Sequence, residues 1–214
     1  MAAMVLAVQR RYLWAMSIAK DLVKTTRRIF VTADTHFGHT EAIKIFARPF
    51  ADVAAMDDSY IAAINAVVGA KDILVHLGDF LGPREWDAKT IRAGAELRAR
   101  INCKRVYLIR GNHDPVDEGR FDELFEGVEE IVSARGIAGI DERIVMFHYP
   151  IEQWQGRPNG AFHLHGHVHG HGATVSRRLD VGIDLADRGG RPFALDEITS
   201  ALRKSEPSGF VRVK

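Results

Sequence analysis

Ile29-Phe30-Val31-Thr32-Ala33-Asp34-Thr35-His36 is an apolar run that ends on a carboxylate and an imidazole. A short run rich in β-branched and aromatic residues reads as a buried strand. The polar pair falls where the strand stops. The same construction recurs four times. Ile73–Leu77 runs into Gly78-Asp79. Val106–Ile109 is followed, after Arg110, by Gly111-Asn112-His113-Asp114. Ile144–Phe147 runs into His148, and Phe162–Leu164, interrupted by His163, leads into Gly166-His167-Val168-His169. In open α/β sheets, ligands bind beyond the carboxyl ends of the strands. Five converging strand ends deliver two Asp, one Asn and four His, a donor set for two divalent cations.

The rest of the chain alternates strands and helices. Helices are expected near Thr40–Phe46, Val53–Val68 and Glu85–Arg100, with Asp52 as the N-cap of the second. Pro49 stops the first. Strands are expected at Arg28–Ala33, Ile73–Leu77 and Arg105–Ile109, and a short helix near Phe121–Phe125. The second half is richer in strands: Val128–Ala134, Arg143–Phe147, Ala161–His165, Ala173–Ser176 and Leu179–Asp184. A final helix is expected near Leu195–Lys204, followed by an edge strand at Phe210–Val213. The order implies an α/β protein, a mixed sheet system covered by helices. No linker divides it, so residues 29–214 are expected to form one domain. Residues 1–28 are expected to be an extension, helical or poorly ordered, without a part in the chemistry.

The 214 residues suffice for one sizeable core, and 46% hydrophobic with 27% charged residues is ordinary for a water-soluble domain. A net charge of +1 gives no overall attraction to nucleic acid or membrane. The charge is uneven, however. Residues 1–28 hold six Lys or Arg against one acid, Asp21, which leaves the remainder net acidic. The single cysteine, Cys103, cannot form an intrachain disulfide. It reads as a small apolar filler, and a reducing cytoplasmic location is expected. No apolar run reaches the ~18–20 residues that span a bilayer.

Each polar string is weak alone. Asp34 and His36, two apart, leave an extended chain on one face. Gly78-Asp79 by itself signals a turn. Gly111-Asn112-His113-Asp114 is more specific: Asn112 offers a neutral oxygen, His113 proton chemistry, and Asp114 a carboxylate to orient its neighbour. His167 and His169 repeat the two-residue spacing, which His163, His165 and His171 extend. Their order, each at a strand end, carries the weight.

That order (Asp-x-His, Gly-Asp, Gly-Asn-His-Asp, a lone His, Gly-His-x-His) resembles the calcineurin-like metallophosphoesterase superfamily, over about Ile29 to Glu197. The longer strings at 34–39 and 164–170 resemble a small bacterial and phage-type branch. The resemblance implies a four-layer α-β-β-α sandwich of two mixed sheets flanked by helices. It also implies two divalent ions, with Mn²⁺ or an Fe/Zn pair expected. The thiolate-free ligand set accommodates Ni²⁺ or Co²⁺ as well. Asp34, His36, Asp79 and His169 would hold the first ion. Asp79 would bridge to the second, completed by Asn112, His148 and His167.

The implied activity is hydrolysis of phosphate esters, as a phosphatase or phosphodiesterase. A hydroxide between the ions would attack phosphorus, and His113, oriented by Asp114, would assist the leaving group. His39 is a second proton-donor candidate. His76 reads as a core residue, and Asp180 or Asp184 as an acid able to orient a ligand histidine. Only 32 residues separate Asp79 from Asn112, too few for a cap domain, so an open site is expected. Arg110, Tyr149 and Trp154 are candidate substrate contacts, with Arg84 and Arg157 as further cations. The expected partner is a small phosphate ester. A nuclease needing a basic track and a non-catalytic, metal-stabilised interaction module are the alternatives. Nothing in the sequence points to an oligomer interface.

Overall fold

The computed structural model describes residues 17–83, 86–116, 119–173 and 175–205. The elements run α1 (Ser17–Lys24), β1 (Ile29–Thr32), α2 (Thr40–Ile45), α3 (Val53–Val67), β2 (Ile73–His76), α4 (Ala88–Ala99), β3 (Arg105–Ile109), α5 (Gly119–Asp122) and β4 (Gly127–Glu129). They continue with β5 (Ile131–Ala134), β6 (Ile144–Phe147), β7 (Phe162–His165), β8 (Arg178–Asp180), β9 (Phe193–Ala194) and α6 (Leu195–Arg203). Residues 1–16, Arg84 and the expected strand at Phe210–Val213 lie outside the described residues.

Two mixed sheets form. One has the order β4-β3-β2-β1-β9, parallel except for the antiparallel β9. The other has the order β5-β6-β7-β8, with only β5 antiparallel. Strand alternation explains why they stack. Ile29, Val31, Ile73, Val75, Tyr107 and Ile109 face Val132, Ile144, Met146, Phe162 and Leu164 in a core between the sheets. The opposite residues, Phe30, Leu74, Val106 and Leu108, meet Met56, Tyr60, Ile61 and Ile64 of α3 in a second core. Asp52 caps α3 by accepting from the Ala55 amide, and Asp87 caps α4 by accepting from Thr90. The fold is therefore α/β, two mixed sheets flanked by helices. Cys103 is buried in the α3 side of the core.

Two expectations are corrected. Val128–Ala134 is not one strand. The chain changes sheet at Glu130, so β4 pairs with β3 and β5 pairs with β6. The described part of Ala173–Ser176 is not a strand, and the short antiparallel β9, too brief to show a period, was not foreseen. The extension, expected to be helical or poorly ordered, forms the helix α1 at residues 17–24, with Ile18 and Leu22 wholly buried in the core that the two sheets share.

The start of α1 is tied to β4, because the Ile18 amide donates to Glu129 Oε1 at 3.2 Å. Burial raises the Glu129 pKa to about 7, whereas the unfolded chain titrates near 4.5. Between these values the folded state holds the proton that the unfolded state has lost. Stability therefore falls as pH rises through that window. Glu129→Gln is expected to melt at the wild-type temperature at pH 4 and above it at pH 8, measured by calorimetry.

Candidate metal centre

The carboxyl ends of β1, β2, β3, β6 and β7 meet at one place. Backbone bonds lace the loops together: Asp34 N to Gly78 O, His36 N to Asp79 O, and Gly166 N to His148 O, each 3.0 Å. A bridge between Ala33 and Gly182 joins the two sheets directly beside Asp34. These approaches leave no room for a side chain at Gly78. A Cβ there would lie 2.5 Å from His148 Nδ1 and 2.6 Å from the Gly111 amide nitrogen, and φ is +95°. Asp34, His36, Asp79, His167 and His169 also adopt positive φ. Such conformations are uncommon outside glycine and concentrate at functional sites.

All seven sequence-nominated donors come together. Donor atoms of Asp34, His36 and His169 lie within 4.8 Å of one another, and so do those of Asp79, His148 and His167. Asp79 joins the two groups. Its Oδ2 is 3.5 Å from His36 Nε2 on one side and 3.5 Å from His148 Nε2 on the other. Asn112 Oδ1 sits 3.1 Å from His148 Nε2. These spacings approach those of neighbouring ligands on one ion with bonds of about 2.1 Å.

The polar chemistry fits cations. His36 is buried, and neither ring nitrogen has a hydrogen-bond partner among the described residues, a state natural proteins avoid unless a further ligand is intended. Burial, and the nearby cationic Arg48, push its pKa strongly down, so the ring is a neutral donor. Asp34 is fully buried, and its pKa is raised first by burial and then by Asp79. Two such carboxylates call for positive charge between them. His148 is held with Nδ1 2.8 Å from the Leu77 carbonyl, which turns Nε2 toward Asp79 and Asn112. Asn112 and His167 are exposed, so this side of the site is open.

The structure locates the remaining candidates and corrects three of them. Asp114 does not orient His113. Its two oxygens accept the amides of Asp79, Phe80 and Gly111, so it clamps one loop to another. The Gly82 carbonyl, 2.8 Å from His113 Nδ1, holds the His113 ring instead. Arg110 is buried and engaged with Asp122, Glu130 and the Pro115 carbonyl, which occupies it within the scaffold. Trp154 is also buried. It packs on Val145 and Ala161, and its Nε1 donates to the Ala161 carbonyl, so no face is offered to a substrate. His39 and His113 lie with His36 in a third cluster of donor atoms within 4.8 Å. Tyr149 meets His148 and His167 edge-on at 4.9 and 4.7 Å.

His76 is a core residue, its Nε2 3.0 Å from Thr35 Oγ1 and its pKa lowered by burial to about 3. His163 is likewise internal, against the carbonyls of Val145 and Tyr149, while His171 is exposed. Of the two late acids, Asp184 takes the orienting position, 2.6 Å from His169 Nδ1. Asp180 caps the Gly170 and Gly182 amides.

Arg48 and Phe46 were not anticipated. The buried Arg48 guanidinium grips both Asp184 oxygens at 2.8 Å and donates to the carbonyls of Asp34 and Thr35. Phe46 stacks on His169, with ring centroids 3.5 Å apart. No sequence signal joins Arg48 to Asp184, 136 positions away. A lysine cannot supply this fork. Arg48→Lys is expected to weaken affinity at the Asp34–His36–His169 group by about 10–100-fold, as loss of a ligand-orienting partner typically does. Metal titration calorimetry reads this, with the Asp79–His148–His167 group little changed.

A model of calcineurin-like phosphoesterases matches residues 27–171. The chain belongs to the calcineurin-like phosphoesterase family. An uncharacterised protein of Methanocaldococcus jannaschii is 29% identical over 185 residues, covering 84% of this chain and 94% of the relative. A gene 66 protein of Mycobacterium phage L5 is 31% identical over 195 residues, covering 78% and 90%. A solved protein of unknown function from Aquifex aeolicus superposes with a TM-score of 0.59 at 21% identity, over 82% of this chain and 99% of that one, a likeness of fold. As a calcineurin-like phosphoesterase the chain is a metal-dependent hydrolase of phosphoesters, and its His and Asp groups are suited to hold the metals. Among the described residues, no helix is long and apolar enough to cross a membrane.

Proposed function

We propose that this calcineurin-like phosphoesterase hydrolyses phosphodiesters at a centre for two divalent ions. Asp34, His36, Asp79 and His169 would hold the first ion, and Asp79, Asn112, His148 and His167 the second. The observation that carries this is Asp79 Oδ2, placed 3.5 Å from a histidine nitrogen of each group. When bound, such a pair neutralises phosphoryl oxygens and acidifies water at neutral pH. Imidazole, carboxylate and amide donors suit several divalent ions, and Mn²⁺ or an Fe/Zn pair is the expectation carried by the family resemblance.

The chain's own residues supply the rest. Asp79 draws two cation sites together and is itself braced, since its Oδ1 accepts the His113 amide at 2.7 Å. His113 hands a proton to the departing oxygen, its ring fixed through Nδ1 at the Gly82 carbonyl. His39, with its ring centroid 5.6 Å from that of His113, lines the same side and steadies the phosphoryl group. Tyr149 borders the open side at His148 and His167 and offers a ring to an aryl or base substituent. The exposed Asn112 and His167 leave room for a second ester arm, which favours diesters over monoesters.

A plate comparing p-nitrophenyl phosphate with its bis ester, across Mn²⁺, Fe²⁺, Zn²⁺, Co²⁺ and Ni²⁺, tests the proposal. Faster metal-dependent cleavage of the bis ester, abolished by chelator, is expected. Cleavage of the monoester alone overturns the diester preference. Hydrolysis of neither ester with any metal overturns the catalytic reading in favour of a metal-stabilised interaction module.

A further inference from the structure

A cavity lies at the opposite end of the first sheet. Arg28 stands just before β1, and Asp34 lies six residues on, so the two ends are separated by about 20 Å at 3.3 Å per residue. Around Arg28 is a cavity of about 270 Å³ whose rim includes Arg188 and Arg191. Its floor is apolar: Phe30, Val67, Pro192 and Ala194. One carboxylate, Glu197, faces three guanidinium groups, which leaves a local excess of positive charge.

Two of these guanidiniums are already ordered. Arg28 lies over the Phe30 ring at 4.7 Å and Arg188 over Phe193 at 4.0 Å. Stacking of this kind orders the planar group and leaves its N–H edge to a partner. Arg188 spends its terminal nitrogens on Glu197 and the Pro192 carbonyl. Its Nε is buried and has no hydrogen-bond partner among the described residues. An N–H in that state leaves a donor still to be satisfied beside the cavity. Arg191 donates through Nε to the Arg188 carbonyl, which fixes its base at the rim.

We propose that this cavity binds the phosphate and base of one nucleotide unit, remote from the metal centre. Its volume lies just below the lower bound for small-ligand pockets, about 300 Å³, which limits it to a single unit. The phosphate lies against Arg28 and Arg191, where guanidinium forks suit it. The base rests against Val67 and Ala194, the half-buried apolar part of the lining. The unit comes either from a free mononucleotide or from a nucleic-acid strand that continues toward the metals. This assignment also gives a use to part of the basic excess in residues 1–28, of which Arg28 is one member.

Equilibrium dialysis of the chelator-treated full chain against AMP, a four-residue oligothymidylate and inorganic phosphate tests it. Arg28→Gln/Arg191→Gln is expected to weaken the nucleotide probes about tenfold and to lower the salt slope of oligonucleotide binding by about two. Val67→Phe, which fills the floor, is expected to weaken the nucleotides and leave inorganic phosphate unchanged. Neither variant should alter cleavage of the aryl phosphodiester. Binding of AMP identifies a free nucleotide as a source, and binding of the oligomer alone identifies a strand. Unchanged affinity in the double Arg variant, or no saturable binding of either nucleotide probe to wild type, overturns the proposal.

Discussion

Asp79→Asn is expected to remove metal from both groups at once and to lower kcat/KM at least about a thousand-fold, roughly 4 kcal/mol of barrier. The substitution keeps the size of the side chain and an oxygen to accept the His113 amide, so the loop geometry survives. What is lost is the negative charge midway between His36 and His148. Atomic absorption should find less than one ion per chain. The metal-free protein should respond in the opposite direction. Asp79 is buried and raises the pKa of Asp34, so the empty site is electrostatically unfavourable. The neutral amide relieves that, and a higher melting temperature of the chelated variant is expected, a stability gained at the expense of function. A variant that retained two ions would show that Asp79 is not shared.

His113→Ala should behave differently. Its expected loss is about 10²–10⁴-fold in turnover, the usual range for a positioned proton donor, with both ions retained. Alanine keeps the backbone amide that donates to Asp79 Oδ1, so the first contact of this residue with the metal site is preserved. Only the ring, held at the Gly82 carbonyl, is deleted. The loss should be larger for an alkyl leaving group than for p-nitrophenolate, which departs without a proton. Equal losses for both leaving groups, or loss of metal, would assign His113 a structural role.

The parts of this site that were readable from sequence share one property. Strand and ligand are adjacent in the chain. Ile29–Thr32 is both a buried strand and the arm that carries Asp34 and His36, so one local pattern reveals fold and chemistry together. Residues whose work is done across the fold were not readable. Arg110 precedes Gly111 and looked poised for phosphate, yet its position turns it toward Asp122 and Glu130. Asp114 neighbours His113 in sequence but bonds the amides of the β2 loop. Trp154 follows His148 closely, and the chain then folds it back on Val145. Arg48 showed nothing at all, because its partner Asp184 arrives only when the two sheets meet. The sheet change at Glu130 was hidden for a related reason. β4 and β5 are both short and nearly contiguous in sequence, and only their pairing separates them.

The most direct test is anomalous diffraction from crystals grown with Mn²⁺, recorded at the manganese edge. Two peaks about 3.5–4 Å apart, one within bonding reach of Asp34, His36 and His169, the other of Asn112, His148 and His167, with Asp79 touching both, are the predicted result. A single peak, or peaks away from Asp79, would contradict the account.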